Sequence, residues 1–317
     1  MIKLAILTRS PRTRVINVQH LKSLIRRLFL FITRQSASRG PEAVLQSLLR
    51  GLGELNYAYK LNPPLEEIFS AETVYVPSGV EALKWAVARK KEGKIKKLVT
   101  GPNIVIVPVH QEKVIMDPAI DVVLVPSAWV KDFYCSFGTD FCKRIRIWAA
   151  GTEIFAPSGE KRDLVLIYKK ETEENLFSEV VRVLQAARAK TEVLTYGNFR
   201  RQDYLHLLKQ VKYMVYLTAF ESQGLALHEA WMLDVPTLVW DRGYWARKDY
   251  GCKFIGDTNA PYLTPECGLE FKGADDFPAK LEQFLNNLSQ FSPRRYSLEN
   301  FTDKICAEKF VKIIQTL

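Results

Sequence analysis

A chain of 317 residues with 47% hydrophobic and 25% charged side chains is long and apolar enough for two domain cores, and this composition excludes a disordered protein. No run reaches the ~20 apolar residues that a membrane span needs, and we expect the start, MIKLAILTRS, to form a strand rather than a signal peptide. The net charge of +10 indicates anionic partners, and residues 1–50 hold ten basic side chains against one acid, Glu42. Nucleotide phosphates, acidic lipid headgroups and nucleic acid all fit this charge.

Strands and helices are predicted to alternate through the first half of the chain. In chain order, we expect a strand at residues 2–8, helices at 18–34 and 41–55, a strand at 73–76, a helix at 79–91, strands at 104–108 and 122–126, a helix at 127–138 and a strand at 145–148. Residues 150–163 lack periodicity and are rich in small and charged residues, which is typical of a linker.

A second alternating series follows this linker. We expect strands at residues 164–168, 192–196, 214–218 and 237–240, and helices at 174–189, 202–211, from about Gly224, at 277–288 and at 298–316. Such alternation is typical of a parallel sheet covered by helices. The sequence therefore predicts two Rossmann-like halves.

The cysteines and the common catalytic motifs give little indication of function. Five cysteines form no Cys-x-x-Cys pair, so we expect a reduced, cytosolic protein without a zinc site. They are Cys135, Cys142, Cys252, Cys267 and Cys306. No P-loop, His-Glu-x-x-His or nucleophile-elbow sequence is present.

The stretch FESQGLALHEAWMLDVPTLVW, residues 220–240, is the most informative part of the chain. A strongly apolar strand precedes it, and Gly224 stands where a buried helix is expected to begin. Backbone N–H groups at such a helix start can bind a phosphate, and Glu221 and Glu229 could then hold hydroxyls on both sides of a diphosphate. The alternative is an ordinary helix start with a dipole-stabilising glutamate and a second, solvated one.

This stretch resembles the Glu-x7-Glu signature of retaining glycosyltransferases of the GT-B fold, family 4 and its relatives. A second passage, VVLVPSAWVKDFY followed by IRIWAAGTEIFAP, resembles the end of that family's first domain. There Gly151, Phe155 and Pro157 match, and Glu153 stands where an aspartate is usual. The resemblance covers residues 122–229 and is weaker before them.

By this resemblance the fold class is α/β of the GT-B type, with two Rossmann-like domains whose parallel sheets face a central cleft. Residues 1–155 would form the N-terminal acceptor domain, and the C-terminal helix at 298–317 would pack back on it. Residues 156–297 would form the nucleotide-sugar donor domain.

The resemblance also implies roles for residues of the donor domain. Glu221 would face the donor sugar, Glu229 would hold the ribose, and the helix start would meet the diphosphate. Lys169 or Lys170 stands where the family has an arginine, and the second cation expected near residues 172–175 is missing. Either Lys169 and Lys170 act together, or Arg200 and Arg201 assist. The other expected donor-binding residues are Ser222, Gln223, Gly224, Leu225, Ala226, Tyr196, Gly197 and Arg201.

Two further sites are implied in the first domain. His110 lies where relatives place a histidine that reaches the donor sugar, and an exposed or structural histidine is the alternative. Arg39 and Gly40 resemble the glycine-rich acceptor or phosphate loop, with an ordinary helix start as the alternative. The segment from Val18 to Arg34 is a basic amphipathic helix that suits either a membrane surface or packing on its own domain.

We therefore expect a hexosyltransferase-like, retaining enzyme of glycan or polysaccharide biosynthesis. It would move a sugar from a UDP- or GDP-sugar to a glycan or lipid-linked acceptor. Because the sequence has no Asp-x-Asp, we expect no metal and no other cofactor. The expected location is the cytoplasm, with the inner face of a membrane as a peripheral alternative.

Two other functions stay open. One is a non-catalytic GT-B subunit that binds a nucleotide-sugar. The other is a basic nucleic-acid-binding protein, although we expect no nucleic-acid partner because no recognised binding motif is present.

Overall fold

The structure, a computed structural model, describes residues 2–11, 40–156 and 163–317 of the chain. The helix expected at residues 18–34, Arg39 of the expected phosphate loop and Pro157 of the linker lie outside these residues. The chain forms two units. The first consists of Met1–Val125, Tyr134–Trp148 and Ala307–Leu317, and the second of Pro126–Phe133 and Ala149–Cys306.

The first unit is built on a parallel sheet. Six strands of its described part form this sheet in the order β2-β1-β3-β4-β5-β6. They are β1 (Leu4–Ile6), β2 (Tyr59–Leu61), β3 (Thr73–Ser78), β4 (Leu98–Asn103), β5 (Val122–Val125) and β6 (Ile145–Ile147). The apolar side chains of β1 and of Val74–Val76 are buried on both faces of the sheet, as is usual when helices cover both sides.

Helices cover this sheet. They include α1 (Gly40–Glu54), α2 (Leu65–Ser70) and α3 (Val80–Lys91). The chain continues through α4 (Ala128–Cys135), of which only Tyr134 and Cys135 belong to the first unit, and α5 (Thr139–Lys143). One face of α1 is buried through Val44, Leu45, Leu48 and Leu52, at the spacing of an amphipathic helix. Phe310 near the end of the chain contacts Tyr75 and Trp148, with ring centroids 4.8 and 5.4 Å apart. This contact explains why residues from Ala307 onward belong to the first unit.

The strand predicted at residues 104–108 is wrong, because β4 ends at Asn103. The β-branched run that suggested a strand is a loop, in which Ile106 and Val109 are exposed. The true strand contains Gly101, where a Cβ atom would lie 2.2 Å from the carbonyl oxygen of Leu124. A glycine is therefore needed for β4 to approach β5, and its low strand propensity concealed the strand in the sequence.

The second unit has its own parallel sheet, in the order β13-β10-β9-β7-β8 among the residues described. Its strands are β7 (Leu164–Lys170), β8 (Lys190–Thr195), β9 (Tyr213–Thr218), β10 (Thr237–Trp240) and β13 (Gly268–Phe271). Alternate side chains of β7 enter two apolar cores, with Val165 and Ile167 on one face and Leu166 and Tyr168 on the other. Helices therefore cover both faces of this sheet as well.

The helices of the second unit are α6 (Glu174–Ala186), α7 (Arg201–Leu208), α8 (Leu225–Met232), α9 (Phe277–Asn286) and α10 (Pro293–Asn300). The last helix, α11 (Asp303–Gln315), starts in the second unit and belongs to the first unit from Ala307 onward. An antiparallel hairpin of β11 (Tyr244–Arg247) and β12 (Cys252–Ile255) follows β10 and was not predicted. Within the described ranges, no helix has both the length and the apolar character required to cross a membrane.

The single helix predicted at residues 298–316 is instead two helices, separated at Phe301 and Thr302. The Thr302 hydroxyl accepts a hydrogen bond from the N–H of Ile305 at 3.2 Å and so caps α11. The N–H of Thr152 donates to the Phe301 carbonyl at 2.7 Å. At Gly151, a Cβ atom would lie 2.6 Å from the Cα of Asp303, so the matched glycine allows the two backbone segments to touch.

The expectation that all cysteines are reduced is also wrong. Cys135 at the end of α4 and Cys142 in α5 form a disulfide across seven positions, with their Cα atoms 4.5 Å apart. The turn between the two short helices brings the thiols together, and sequence spacing alone does not show such a turn. Cys252, Cys267 and Cys306 are free thiols.

Candidate functional site

The strand order of the second sheet indicates where a ligand is expected. From β7 the chain passes to β8 on one side and then to β9 on the other, so the order reverses between β7 and β9. Ligands of open α/β sheets bind beyond the carboxyl ends of the strands at such a reversal. Lys170 ends β7 opposite Thr218 at the end of β9, and Glu221 follows three residues later. Two of the predicted site residues therefore lie at the expected place.

Glu221 is held by four hydrogen bonds. Its Oε1 accepts from the ammonium of Lys170 at 2.8 Å and from the hydroxyl of Tyr216 at 3.0 Å. Its backbone N–H donates to the Thr258 carbonyl at 2.8 Å, and its carbonyl accepts from the indole N–H of Trp129 at 2.9 Å. Among the residues described, Oε2 has no partner. One oxygen thus fixes the carboxylate, and the other can accept a hydrogen bond from a ligand.

Charge and burial determine the protonation states of Lys170 and Tyr216. Burial alone would lower the pKa of the Lys170 ammonium, but the Glu221 carboxylate more than offsets this effect, so the pKa is raised. The rings of Tyr196 and Phe220 lie 4.9 and 5.5 Å from the same ammonium. Burial and the charge of Glu221 raise the pKa of Tyr216 well above its ordinary value. Lys170 is therefore a cation and Tyr216 a hydrogen-bond donor at neutral pH.

Lys169, the neighbouring candidate, is directed elsewhere. Its ammonium lies 2.7 Å from Glu174 and 4.0 Å from the centre of the Phe177 ring. Successive side chains of a strand point to opposite faces, so Lys169 and Lys170 cannot both reach Glu221 from β7. The structure thus brings only Lys170 of this pair to Glu221.

The start of α8 has the geometry that the glycine suggested. Gly224 has φ +86°, and α8 begins at Leu225. A Cβ atom at Gly224 would also lie 3.2 Å from the Leu227 side chain. The first turn of a helix leaves its N–H groups without intrahelical partners, so those of Leu225 and Ala226 suit an anion. Ser222, three residues before Leu225, is exposed.

Gln223 has a structural role in this loop. Its side-chain oxygen accepts from the N–H of Ala150 at 3.0 Å, and its amide donates to the Ala150 carbonyl at 2.8 Å. The residue is 4% exposed. This amide therefore ties the loop before α8 to residue 150, and its hydrogen bonds are not directed to a ligand.

Glu229, the second glutamate of the motif, is paired with a cation. Its Oε1 accepts from the guanidinium of Arg201 at 2.6 Å. Arg201 also lies 3.8 Å from Glu153 and stacks on Phe155 at 5.6 Å. The predicted donor-binding residues Glu229 and Arg201 thus meet each other. Arg200 instead pairs with Asp203 at 2.8 Å on the surface.

The remaining predicted site residues belong to the turn after β8 or to the first unit. Tyr196 and Gly197 form the turn after β8, and the Tyr196 ring contacts Lys170. His110 belongs to the first unit, and it lies seven residues after β4 rather than directly at a strand end. Gly40 begins α1 with open space around its Cβ position, so packing does not require a glycine there.

Three carboxylates of the second unit lie close together. The carboxylate oxygens of Asp241, Asp257 and Glu270 lie within 4.8 Å of one another. The Lys272 ammonium lies 2.9 Å from Glu270 and 3.6 Å from Asp257. Burial raises the pKa of Asp241, and the N–H of Gly243 opposes this shift. These three carboxylates therefore have the Lys272 ammonium as a counter-ion. The expectation that the protein needs no metal stays a prediction.

Sequence reasoning missed three residues that position Glu221. Trp129 was part of the motif SAWV, but nothing in that motif showed that its N–H would bond to residue 221. Tyr216 lies within a continuous apolar strand, where a hydroxyl gives no visible signal. Thr258 acts through its backbone carbonyl, which no sequence pattern can reveal.

Comparison with known proteins gave matches in structure but not in sequence. No family model and no curated protein matches the chain. The lipopolysaccharide outer core galactosyltransferase WaaB superposes with a TM-score of 0.62 at 14% identity over 100% of both chains. Sucrose-phosphate synthase from Thermosynechococcus elongatus gives 0.57 at 9% identity over 100% of this chain and 99% of that one. TarM gives 0.54 at 12% identity over 85% of this chain and 57% of that one.

These matches decide the fold. The chain has a GT-B-type fold. The predicted α/β class with Rossmann-like, parallel-sheet units is thereby confirmed. At identities of 9–14%, the likeness concerns architecture alone.

Proposed function

We propose that this protein is a glycosyltransferase that moves a sugar from a nucleotide-sugar to a glycan or lipid-linked acceptor. The observation that carries the proposal is Glu221, held by Lys170 and Tyr216 at the strand-order reversal and followed by the start of α8. One structural neighbour, a mutant of S. aureus TarM, was solved with UDP and alpha-GlcNAc-glycerol, which agrees with such a donor.

In this proposal each group has one task. The N–H groups at Leu225 and Ala226 bind the diphosphate, and Lys170 neutralises the charge that develops as the diphosphate leaves. Glu221 orients the sugar through Oε2, while Oε1 stays bonded to Tyr216. Glu229, with Arg201, holds the ribose. Retention of configuration and independence of metals are parts of the proposal, as is docking of residues 18–34 at a membrane.

The donor can be identified by ligand-induced stabilisation. UDP-, GDP- and ADP-sugars would each be added to the full chain while thermal unfolding is followed. A ligand present at 100 times its Kd stabilises the folded state by about 2.7 kcal/mol. A nucleotide-sugar of one base should raise the Tm, and the absence of any shift with all three classes would contradict the proposal.

The two adjacent lysines give a matched test of the site. With the donor identified, Lys170→Met should lower kcat on the order of 100-fold, because the cation at the leaving group is lost. Lys169→Met is the control, since this lysine pairs with Glu174 on the opposite face. Glu221→Gln should also lose transfer, with Glu174→Gln as its control. Equal effects of the two lysine variants would show that the reaction does not take place beside Glu221.

One observation favours a non-catalytic binding subunit as the second candidate. Among the cations that the structure describes, only Lys170 pairs with Glu221. The second cation of related sites has no counterpart near residues 172–175. A binding subunit would be stabilised by the donor but would neither transfer the sugar nor hydrolyse the donor. A donor-hydrolysis assay on the wild-type chain separates the two functions.

A further inference from the structure

The hairpin of β11 and β12 has two chemically different faces. Its register pairs Trp245 with Phe254, and these rings lie on one face. Trp245 contacts Phe133 and Trp129 at 4.9 and 5.8 Å, and Phe254 contacts Trp129 at 5.7 Å. A two-stranded hairpin is marginal alone, so this aromatic contact fixes it to the second unit. The opposite face is thereby turned outward.

The outward face is positively charged, and its cations have no counter-ion among the described residues. Arg242 and Lys253 lie over the ring of Tyr244 at 4.2 and 5.3 Å, and Lys248 is exposed beside the turn. None of these three cations forms an ion pair with any residue the structure describes. The segment's one acid, Asp249, pairs with Arg247 at 2.8 Å. Such a surface is complementary to an anionic partner.

An aliphatic side chain lies within this charged face. Ile255, opposite Tyr244 in the register, is 68% exposed, the highest value among the large hydrophobic residues described. Transfer of an exposed isoleucine from water into lipid hydrocarbon is favourable. The methylene groups of lysine and arginine can lie on an apolar surface while their charged ends bind phosphate.

We propose that this face, formed by Arg242, Tyr244, Lys253 and Ile255, docks on an anionic lipid surface together with the exposed Lys248 of the turn between the two strands. An anionic glycan fits less well, because Arg242 already stacks on the Tyr244 ring and Ile255 offers a sugar neither a hydrogen bond nor an aromatic face. The proposal is independent of the transferase function.

The hairpin is also connected to the candidate site. Trp129 contacts both rings of its inner face and donates its indole N–H to the carbonyl of Glu221. Phe220, next to Glu221, contacts Trp245 at 6.3 Å. Docking of the hairpin would therefore hold the Glu221 loop close to the lipid surface.

Co-sedimentation of the full chain with vesicles tests the proposal. Vesicles of phosphatidylcholine alone would be compared with vesicles that contain phosphatidylglycerol. Each cation near an anionic surface contributes about fivefold to binding, so Lys248→Gln with Lys253→Gln should weaken partitioning to the anionic vesicles about 25-fold. The matched control is Lys190→Gln with Lys209→Gln, which removes the same charge from exposed positions elsewhere on the second unit.

A third variant separates lipid from other anions. Ile255→Ser should weaken vesicle binding several-fold while leaving binding of soluble dextran sulfate unchanged. Three results would overturn the proposal. They are no binding of the wild type to anionic vesicles, equal losses in the hairpin and control variants, and an Ile255→Ser variant that binds vesicles like the wild type. The last result would assign the face to a soluble polyanion.

Discussion

The buried histidine of α8 should make the stability of the second unit depend on pH. His228 is fully buried, with its ring centre 4.3 Å from that of Phe301 and 5.3 Å from that of Trp231. Neither ring nitrogen has a hydrogen-bond partner among the residues described. Burial lowers the pKa of His228 from 6.5 to about 3, and the backbone of Gln223 opposes the shift. The folded protein therefore keeps this imidazole neutral in mild acid.

The sign and size of the effect follow from these two pKa values. Between pH 6.5 and about 3 the unfolded chain binds the proton and the folded chain does not, so the free energy of unfolding falls as the pH falls through this range. From pH 7 to pH 5, the loss due to His228 is about 2 kcal/mol. His228→Phe and His228→Leu have no group to protonate, and both should lack this loss.

Urea denaturation at pH 7 and pH 5 measures the difference. Urea is uncharged, so the extrapolated free energies can be compared between the two pH values. The wild type should lose about 2 kcal/mol more than either variant. Phenylalanine and leucine fill the site differently, so agreement between them ties the effect to charge rather than to packing. Equal losses in all three proteins would refute the reasoning, because they would show that water or a polar group reaches the folded imidazole.

Two further predictions concern the framework of the second unit, and urea denaturation tests both. Gly268→Ala should lower the free energy of unfolding by at least about 2 kcal/mol, since φ is +155° there and a Cβ atom would lie 1.8 Å from the Thr237 carbonyl oxygen. The control, Gly273→Ala, has open space around its Cβ position and should stay within about 0.5 kcal/mol of the wild type. Gln223→Ala should lower the free energy of unfolding by about 1–3 kcal/mol, because it leaves the backbone N–H and carbonyl of Ala150 without their partner. An unchanged free energy of unfolding would show that water replaces the amide.

The fold was predictable where buried strands form unbroken apolar runs. The strand predicted at residues 237–240 matches β10, and the strand predicted at 214–218 differs from β9 by one residue. Prediction failed where local composition and tertiary context disagree. The β-branched residues 104–108 form a loop, while the strand before them contains a glycine and a proline. The hairpin was missed because packing on Trp129 and Phe133, which are distant in sequence, makes so short a pair of strands stable.

The candidate site was predictable as a region but not in its contacts. The order of elements places Lys170 and Glu221 at the carboxyl ends of β7 and β9, and this follows from the alternation of strands and helices. Whether Lys169 or Lys170 points to Glu221 depends on which face of the sheet each residue of β7 occupies. That strand is buried on both faces, so its sequence, LVLIYKK, shows no alternation of apolar and polar residues that would assign each side chain to a face.

The cations of the candidate site and those of the hairpin differ in their ion pairs. At the candidate site, Lys170 is neutralised by Glu221 and Arg201 by Glu229, so the charge there is balanced before any donor arrives. On the hairpin, by contrast, Lys253 has no acidic partner among the described residues. A diphosphate must therefore compete with a carboxylate for its cation, whereas a lipid surface meets cations that are already available. Among the residues described, the unpaired cations of the hairpin are thus more available to an anionic partner than the paired cations of the candidate site.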